Sequence, residues 1–590
     1  MSLRPALSIV LVSGTVHALA ALARLLAYPQ GWSWLELLRP AFAEGTLGAV
    51  CTLFVVAVAI LFGRSPSIAA GATAAVWLAG QGAAWTWIAT PQSRVTPSPS
   101  GGRTVVLITL DTMRADALGP WGGRWEGLSP RIDRFASEGL VFADARTPSP
   151  LTLPAHTTLL SGLHPADHGV LRNGERIPED LRTVPEQLAE DGFLTAAFVS
   201  SSILHGRYGL ARRFHVYRDE LGPMPGARLL PLSRGVLAAR ARLVDAPVGG
   251  KEAGARTVDR AMRWLRAQPD DASVFLWVHL YDPHAPLERA PLDVEPPGHP
   301  CDWSAHPTAL RRAVRSPIQP PRRPLRAEAA CRAEDWATVF DKVGGYAAEV
   351  VEADTQVGRL LDDLGSLGRG DAAVLLVGDH GESLVEHQHL GEHQFSLYEP
   401  VLRVPFAVRA PELRAGVWPA PVSTTQVAAH LRALAAGDTP TPIPDATRIA
   451  VGPAPVEHAR SRDIVGDRAL QATAQRGARK VLVDEVGHVE RYVLSDDPGE
   501  RYPLLTEREQ SSLRAPPPPV RDPLTLLRAS EPEWVAEALA QPGVVGQRLD
   551  DPEPWASLEE AARDALRRAR RSHGGVRKHT AELEALGYVE

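Results

Sequence analysis

The sequence predicts an α/β fold: a doubly wound, mostly parallel sheet with a small C-terminal subdomain and N-terminal transmembrane helices. Three observations carry that expectation. Apolar runs of strand length alternate with helical patterns between residues 104 and 377. Those runs contain few polar positions, as strands covered on both faces do. The first 90 residues crowd together apolar stretches of bilayer length. The expected buried strands are Thr104–Leu110, Leu194–Val199, 273–280 and 372–377, and helical spacing marks 181–190, 255–268 and 346–364.

At the N-terminus, residues 45–62 and 65–92 carry no charge, and each is long enough to cross a bilayer, which takes about 20 residues at helical rise. Residues 6–28 form a weaker third span containing His17 and Arg24, the latter placed to snorkel. Trp32, Trp34, Trp85 and Trp87 suit the interfaces. An alternative for the first segment is a signal peptide cleaved near Ala18-Leu19-Ala20. Arginine counts on the two sides are nearly equal. Three spans with the N-terminus inside place everything after residue 95 outside the cell membrane, in the periplasm or extracellular space. The expected organisation is a transmembrane section over 1–90, a Pro/Ser/Gly linker over 91–103, a main α/β domain over 104–440, and a C-terminal subdomain with a helical tail over 441–590.

The net charge of −6 is small and no dense Lys/Arg block occurs, which argues against a nucleic-acid partner. Of the three cysteines, Cys51 lies in an apolar stretch, while Cys301 and Cys331 are either a disulfide or two thiols; no CxxC pattern exists. Residues 288–337, rich in Pro and Arg, read as a long surface insertion. Beyond 440, residues 481–483 and 490–494 read as short antiparallel strands, and 533–540 and 557–571 as exposed, charged helices.

Asp111, Asp379 and His380 all fall at the carboxyl ends of expected strands, where ligands gather in such sheets. Taken singly, Asp111 reads as a helix cap and Asp379-His380-Gly381 as a turn. They belong, however, to four longer words: ITLDTMRAD, PLTLPAHTTLLSGLHPADHGV, HLYDPHAPL and VGDHGESLVEHQHLGEHQFSLYEPVLRVPF. In that order over residues 104–406, the words resemble the sulfatase branch of the alkaline phosphatase superfamily. The tail, through the final LEALGYVE, resembles the end of sulfatase-like chains more loosely. The combination with a membrane section resembles lipoteichoic acid synthases and phosphoethanolamine transferases.

The resemblance implies one divalent metal ion (zinc, manganese or calcium) held by Asp111, Asp379 and His380, with Thr152 bound to it as nucleophile. Carboxylates offset a cation's charge, and the cation lowers the pKa of a coordinated hydroxyl. It also implies catalytic roles for His284 and His393 and substrate binding by Asn173. His156 occupies the position of a family arginine and is expected to bind substrate too. His168 is expected to shape its loop. His387 and His389 are weaker candidates, and a second metal at Asp282, His284 and His393 is a lesser alternative.

The chain also departs from the pattern. Thr112 stands where many sulfatases carry a second aspartate. No Cys-x-Pro-x-Arg or Ser-x-Pro-x-Arg motif occurs, which removes the formylglycine route. Histidine at 380 favours a softer ion than calcium. The expected activity is hydrolysis or transfer of a sulfate or phosphate ester through a Thr152 covalent intermediate, on a lipid-linked or glycan substrate at the membrane. Two alternatives stand beside it: a phosphoethanolamine- or glycerophosphate-type transferase of envelope lipids or glycans, and a non-catalytic scaffold with a decayed site.

Overall fold

The computed structural model describes residues 102–219, 253–297, 336–388, 391–445, 447–453, 470–485, 489–498, 500, 504–505, 547–548 and 553–573. The three apolar N-terminal segments, Cys51, Cys301, Cys331, His389, residues 533–540 and most of the 288–337 insertion lie outside them. Among the described residues no helix is long and apolar enough to cross a membrane. The chain divides into two units, one of residues 1–97, 220–251 and 260–270, the other of 98–219, 252–259 and 271–590. The second unit contains the sheet and the candidate site.

Its central sheet has eight strands. In chain order they are β1 (Thr104–Leu110), β2 (Leu140–Phe142), β3 (Leu194–Val199), β4 (Val216–Arg218), β5 (Val274–Leu280), β6 (Ala373–Gly378), β7 (Phe406–Arg409) and β8 (Gly416–Trp418). Their spatial order is β4-β3-β5-β1-β6-β7-β2-β8. The five strands from β4 to β6 run parallel. β7 is antiparallel to both β6 and β2, so the sheet is mixed at one side. The four strands expected from the sequence form within one residue of their expected bounds. The short β2, β4, β7 and β8 offer too little periodicity to be read in advance.

β1, β5 and β6 are buried along their whole lengths, which is why their sequences are continuous apolar runs instead of alternating ones. Phe142 and Phe406 stack within the core, ring centroids 4.1 Å apart. The helices expected at 181–190, 255–268 and 346–364 appear as Val184–Glu190, Gly254–Arg266 and Trp336–Ser366; the last begins ten residues earlier than its pattern.

The C-terminal part is a four-stranded antiparallel sheet: β9 (Arg448–Pro453), β10 (Leu470–Arg476), β11 (Arg479–Asp484) and β12 (Val489–Val493). One expectation needs correction here. The helix Glu553–His573, read as exposed and charged, buries Trp555, Leu558, Ala562, Ala565 and Ala569 in one cluster with Ala472, Ala474, Val481 and Val483. Its apolar stripe consists largely of alanines, which a charge-weighted reading overlooks.

The Phe142–Phe406 stack joins β2 to β7 at the antiparallel side. Phe406→Ala is expected to cost about 3–5 kcal/mol of unfolding free energy in a denaturant titration. A loss below about 1 kcal/mol would show that this stack does not anchor the sheet.

Candidate metal centre

The register of three parallel strands brings the centre together. Leu110 pairs with Leu280 on one side and Gly378 on the other, so β1, β5 and β6 end at one level. Asp111 N donates to Leu280 O at 2.9 Å and Asp379 N to Leu110 O at 3.2 Å. The two aspartates are thereby carried just past the strand ends, side by side. Gly381, after His380, lets the chain pass Pro400, whose carbonyl a Cβ would strike.

Asp111, Asp379 and His380 are fully buried, and their ligand atoms lie within 4.8 Å of one another. Asp379 Oδ1 accepts from Thr112 N at 3.2 Å and His380 N at 2.7 Å, while Asp379 Oδ2 is buried without a hydrogen bond. Burial, and then the Asp111 carboxylate, push Asp379 up to about 8. A cation between the carboxylates would relieve both effects. His380 Nδ1 lies 3.0 Å from Gly381 O, which can only accept, so that nitrogen carries the proton and Nε2 is left as the donor atom. It sits 3.5 Å from Asp379 Oδ2, 3.8 Å from Asp111 Oδ1 and 3.3 Å from Thr152 Oγ1. This donor set fits a divalent ion.

Thr152 opens the helix Thr152–Ser161. Asn173 Oδ1 accepts from Leu153 N at 3.0 Å and so braces the first turn. His156 lies against the centre, its Nδ1 3.6 Å from Asp379 Oδ2, and His156, His279 and Asp379 offer ligand atoms within 4.8 Å of one another. Trp277 Nε1 donates to Thr109 Oγ1 at 2.9 Å, Thr109 Oγ1 donates to His156 Nε2 at 3.1 Å, and His156 Nδ1 donates to Thr152 O at 2.8 Å. Both imidazole nitrogens are engaged in the protein, and burial pushes this histidine down to about 3. His156 is expected from the sequence to contact substrate; in this geometry both of its ring nitrogens are bonded within the protein, and it braces the turn that begins at Thr152.

His284 and His393 lie together at the other side. Their ring centroids are 5.2 Å apart, and His393 stacks on His380 at 4.4 Å. His284 Nδ1 donates to Ala285 O at 2.6 Å, and His393 Nδ1 lies 3.2 Å from Glu382 Oε1. Burial, then His393, push His284 down to about 3. Among the described residues, Asp282, His284 and His393 form no metal-ligating group; Asp282 Oδ1 accepts from Gly254 N at 3.1 Å instead. His168 bonds Thr158 Oγ1 at 3.1 Å and accepts from Val170 N at 3.1 Å, within its loop. His387 stacks on Tyr398, centroids 3.6 Å apart.

The Sulfatase family description matches residues 103–437. The chain belongs to the sulfatase family. Among curated relatives it is 23% identical over 351 residues to "Sulfatase" of Formosa agariphila, covering 53% of this chain and 65% of that protein. It is 22% identical over 337 residues to "Delta 4,5-hexuronate-2-O-sulfatase" of Bacteroides thetaiotaomicron, covering 52% of this chain and 62% of that one. The matched region thus falls short of two thirds of either relative's length. The fold resembles phosphonate monoester hydrolase of Agrobacterium radiobacter (TM-score 0.51, 18% identity, 69% of this chain and 91% of that chain).

Several residues of this sulfatase-family site escaped sequence reasoning. Tyr346 donates to Thr112 O at 2.9 Å and accepts from Arg114 N at 3.0 Å. It thereby holds Thr112 at φ +53°, a strained value for a β-branched residue. Arg114 donates to Glu382 O at 2.9 Å and pairs with Glu386 at 2.8 Å, tying the loop after β1 to the loop after β6. Thr109, His279 and Glu382 all lie inside the recognised words, but nothing in a single sequence ranks them.

Thr109→Val preserves shape and removes the hydroxyl linking Trp277 to His156. It is expected to cost about 2–4 kcal/mol of unfolding free energy, because two buried polar groups lose their partner. A change below about 0.5 kcal/mol would mean that the relay does not hold the helix that begins at Thr152.

Proposed function

We propose that this protein is a metal-dependent ester hydrolase that transfers the sulfuryl or phosphoryl group of a monoester to Thr152 and then to water. The observation that carries this reading is the position of Thr152 Oγ1, 3.3 Å from His380 Nε2, the same nitrogen that lies 3.5 Å from Asp379 Oδ2 and 3.8 Å from Asp111 Oδ1. A divalent ion held by Asp111, Asp379 and His380 would lower the pKa of a coordinated hydroxyl and offset charge on the transferred group's oxygens.

The chain's own residues supply the rest. Thr152 heads a ten-residue helix, whose amino-terminal dipole favours an anion there. The threonine oxygen forms a bond to sulfur or phosphorus, the ester oxygen leaves as an alcohol and takes a proton, and water later cleaves the enzyme-bound ester. Asn173 keeps the first turn in place and stands at the edge of the substrate anion. His284, its Nδ1 proton held by Ala285 O, turns Nε2 to proton traffic with the leaving alcohol and the incoming water, with His393 beside it.

The curated relative named for hexuronate 2-O-sulfatase activity favours a sulfated glycan; the structural likeness to a phosphonate monoester hydrolase keeps phosphorus esters in view. The apolar N-terminal segments favour a membrane-anchored enzyme whose catalytic part faces outside, with a lipid- or glycan-linked donor. A hydroxyl in place of water as acceptor would make the same site a transferase.

Full-length protein in detergent, assayed against aryl sulfates, phosphodiesters and phosphonates, tests this reading. Thr152→Ala is expected to lower kcat by at least about 10³-fold with an unchanged circular dichroism spectrum. Turnover of the variant within about tenfold of the parent would remove Thr152 as nucleophile. Chelation is expected to abolish turnover reversibly, and activity undiminished in chelator would remove the metal.

A further inference from the structure

We propose that His279 is an additional ligand of the same metal, giving the centre two imidazoles beside its carboxylates instead of the single imidazole of His380. The inference rests on the reading of a metal at Asp111 and Asp379 and adds to it. His279 is the penultimate residue of β5, level with Thr109 of β1 and Val199 of β3, and is fully buried.

Its tautomer follows from its neighbours. Ser200 Oγ donates its one hydrogen to the His279 carbonyl at 2.6 Å. The 3.2 Å contact between Ser200 Oγ and His279 Nδ1 therefore runs the other way, with the ring nitrogen as donor. Nε2 then carries a lone pair. It faces Asp111 Oδ2 at 3.3 Å and makes no hydrogen bond. A lone pair aimed at a buried carboxylate oxygen is repulsive unless a positive centre lies between them.

His380 shows the same arrangement as His279, its Nδ1 proton spent on Gly381 O and its Nε2 turned inward. Anchoring the distal ring nitrogen is how metal-ligating histidines are usually oriented. The spacing agrees: donors about 2.1 Å from a tetrahedral ion lie about 3.4 Å from one another. Here the Nε2 of His279 lies 3.3 Å from Asp111 Oδ2, and that of His380 lies 3.5 Å from Asp379 Oδ2. His279 offers ligand atoms within 4.8 Å of those of Asp379 and His156, a group that meets the Asp111, Asp379 and His380 group at Asp379; His156, both of its ring nitrogens bonded within the protein, is left out of the ligand set. Two nitrogen donors beside carboxylates favour zinc or manganese over calcium.

The test uses the full-length protein loaded with Mn²⁺, its imidazole nitrogens counted by pulsed electron paramagnetic resonance, and its metal affinity measured by dialysis against buffered free metal. The parent is expected to hold one ion coupled to two imidazoles. His279→Ala is expected to show one coupled imidazole and at least about tenfold weaker affinity, and Ser200→Ala about tenfold weaker affinity with both imidazoles retained. Apo forms of parent and variants compared by circular dichroism identify any variant that fails to fold, and His279→Gln provides a second substitution. Unchanged coupling and affinity in a folded His279 variant would overturn the proposal, while Asp379→Asn, losing the ion, would leave the metal-dependent reading standing. A fall in stoichiometry from two ions to one would assign His279 to a separate ion and overturn a shared one. A parent that binds no ion would overturn both readings.

Discussion

Two buried carboxylates set side by side govern this structure. Asp111 and Asp379 are delivered past the ends of adjacent parallel strands by their register, and neither side chain reaches solvent. Like charges a few ångströms apart in a medium of low dielectric repel strongly, and the cost appears in the raised pKa of Asp379. The fold accepts that cost and surrounds it with donors. Thr112 N and His380 N are aimed at one oxygen of Asp379, leaving the other for a cation. Thr112 must adopt a left-handed backbone to do so, and Tyr346 holds it there.

The position of Thr152 follows from the same sheet. Its helix lies over the face of β1 and β5 that carries Thr109, Trp277 and His279, and one hydrogen-bonded series from Trp277 through Thr109 and His156 ends on the carbonyl of Thr152. A histidine here, where the family pattern has arginine, exchanges a cation for a neutral brace. Burial lowers the pKa of His156, His284 and His393 alike, so on the proposed reading the charge set against a substrate anion falls to the ion and the helix terminus.

The main strands are legible in the sequence because each is covered on both faces and so reads as an uninterrupted apolar run. Asp111, Thr152, Asp379 and His380 are legible too, since they stand in recognisable words at strand ends, and the structure brings these four together. What stays hidden depends on tertiary geometry. In the sequence His279 is a polar interruption of a strand, and only its neighbours Ser200 and Asp111 distinguish it. Tyr346 sits in a helix 234 residues from the carbonyl it holds. The alanine stripe of the C-terminal helix carries too little hydrophobicity to stand out among its arginines.

On the proposed reading Asp111, Asp379, His380 and Thr152 share one cation. Anomalous diffraction from crystals of the full-length protein, recorded across a metal absorption edge, locates that ion. A single peak among those four side chains is the predicted result. A well-ordered site with no anomalous density, in crystals grown from metal-replete protein, would contradict it.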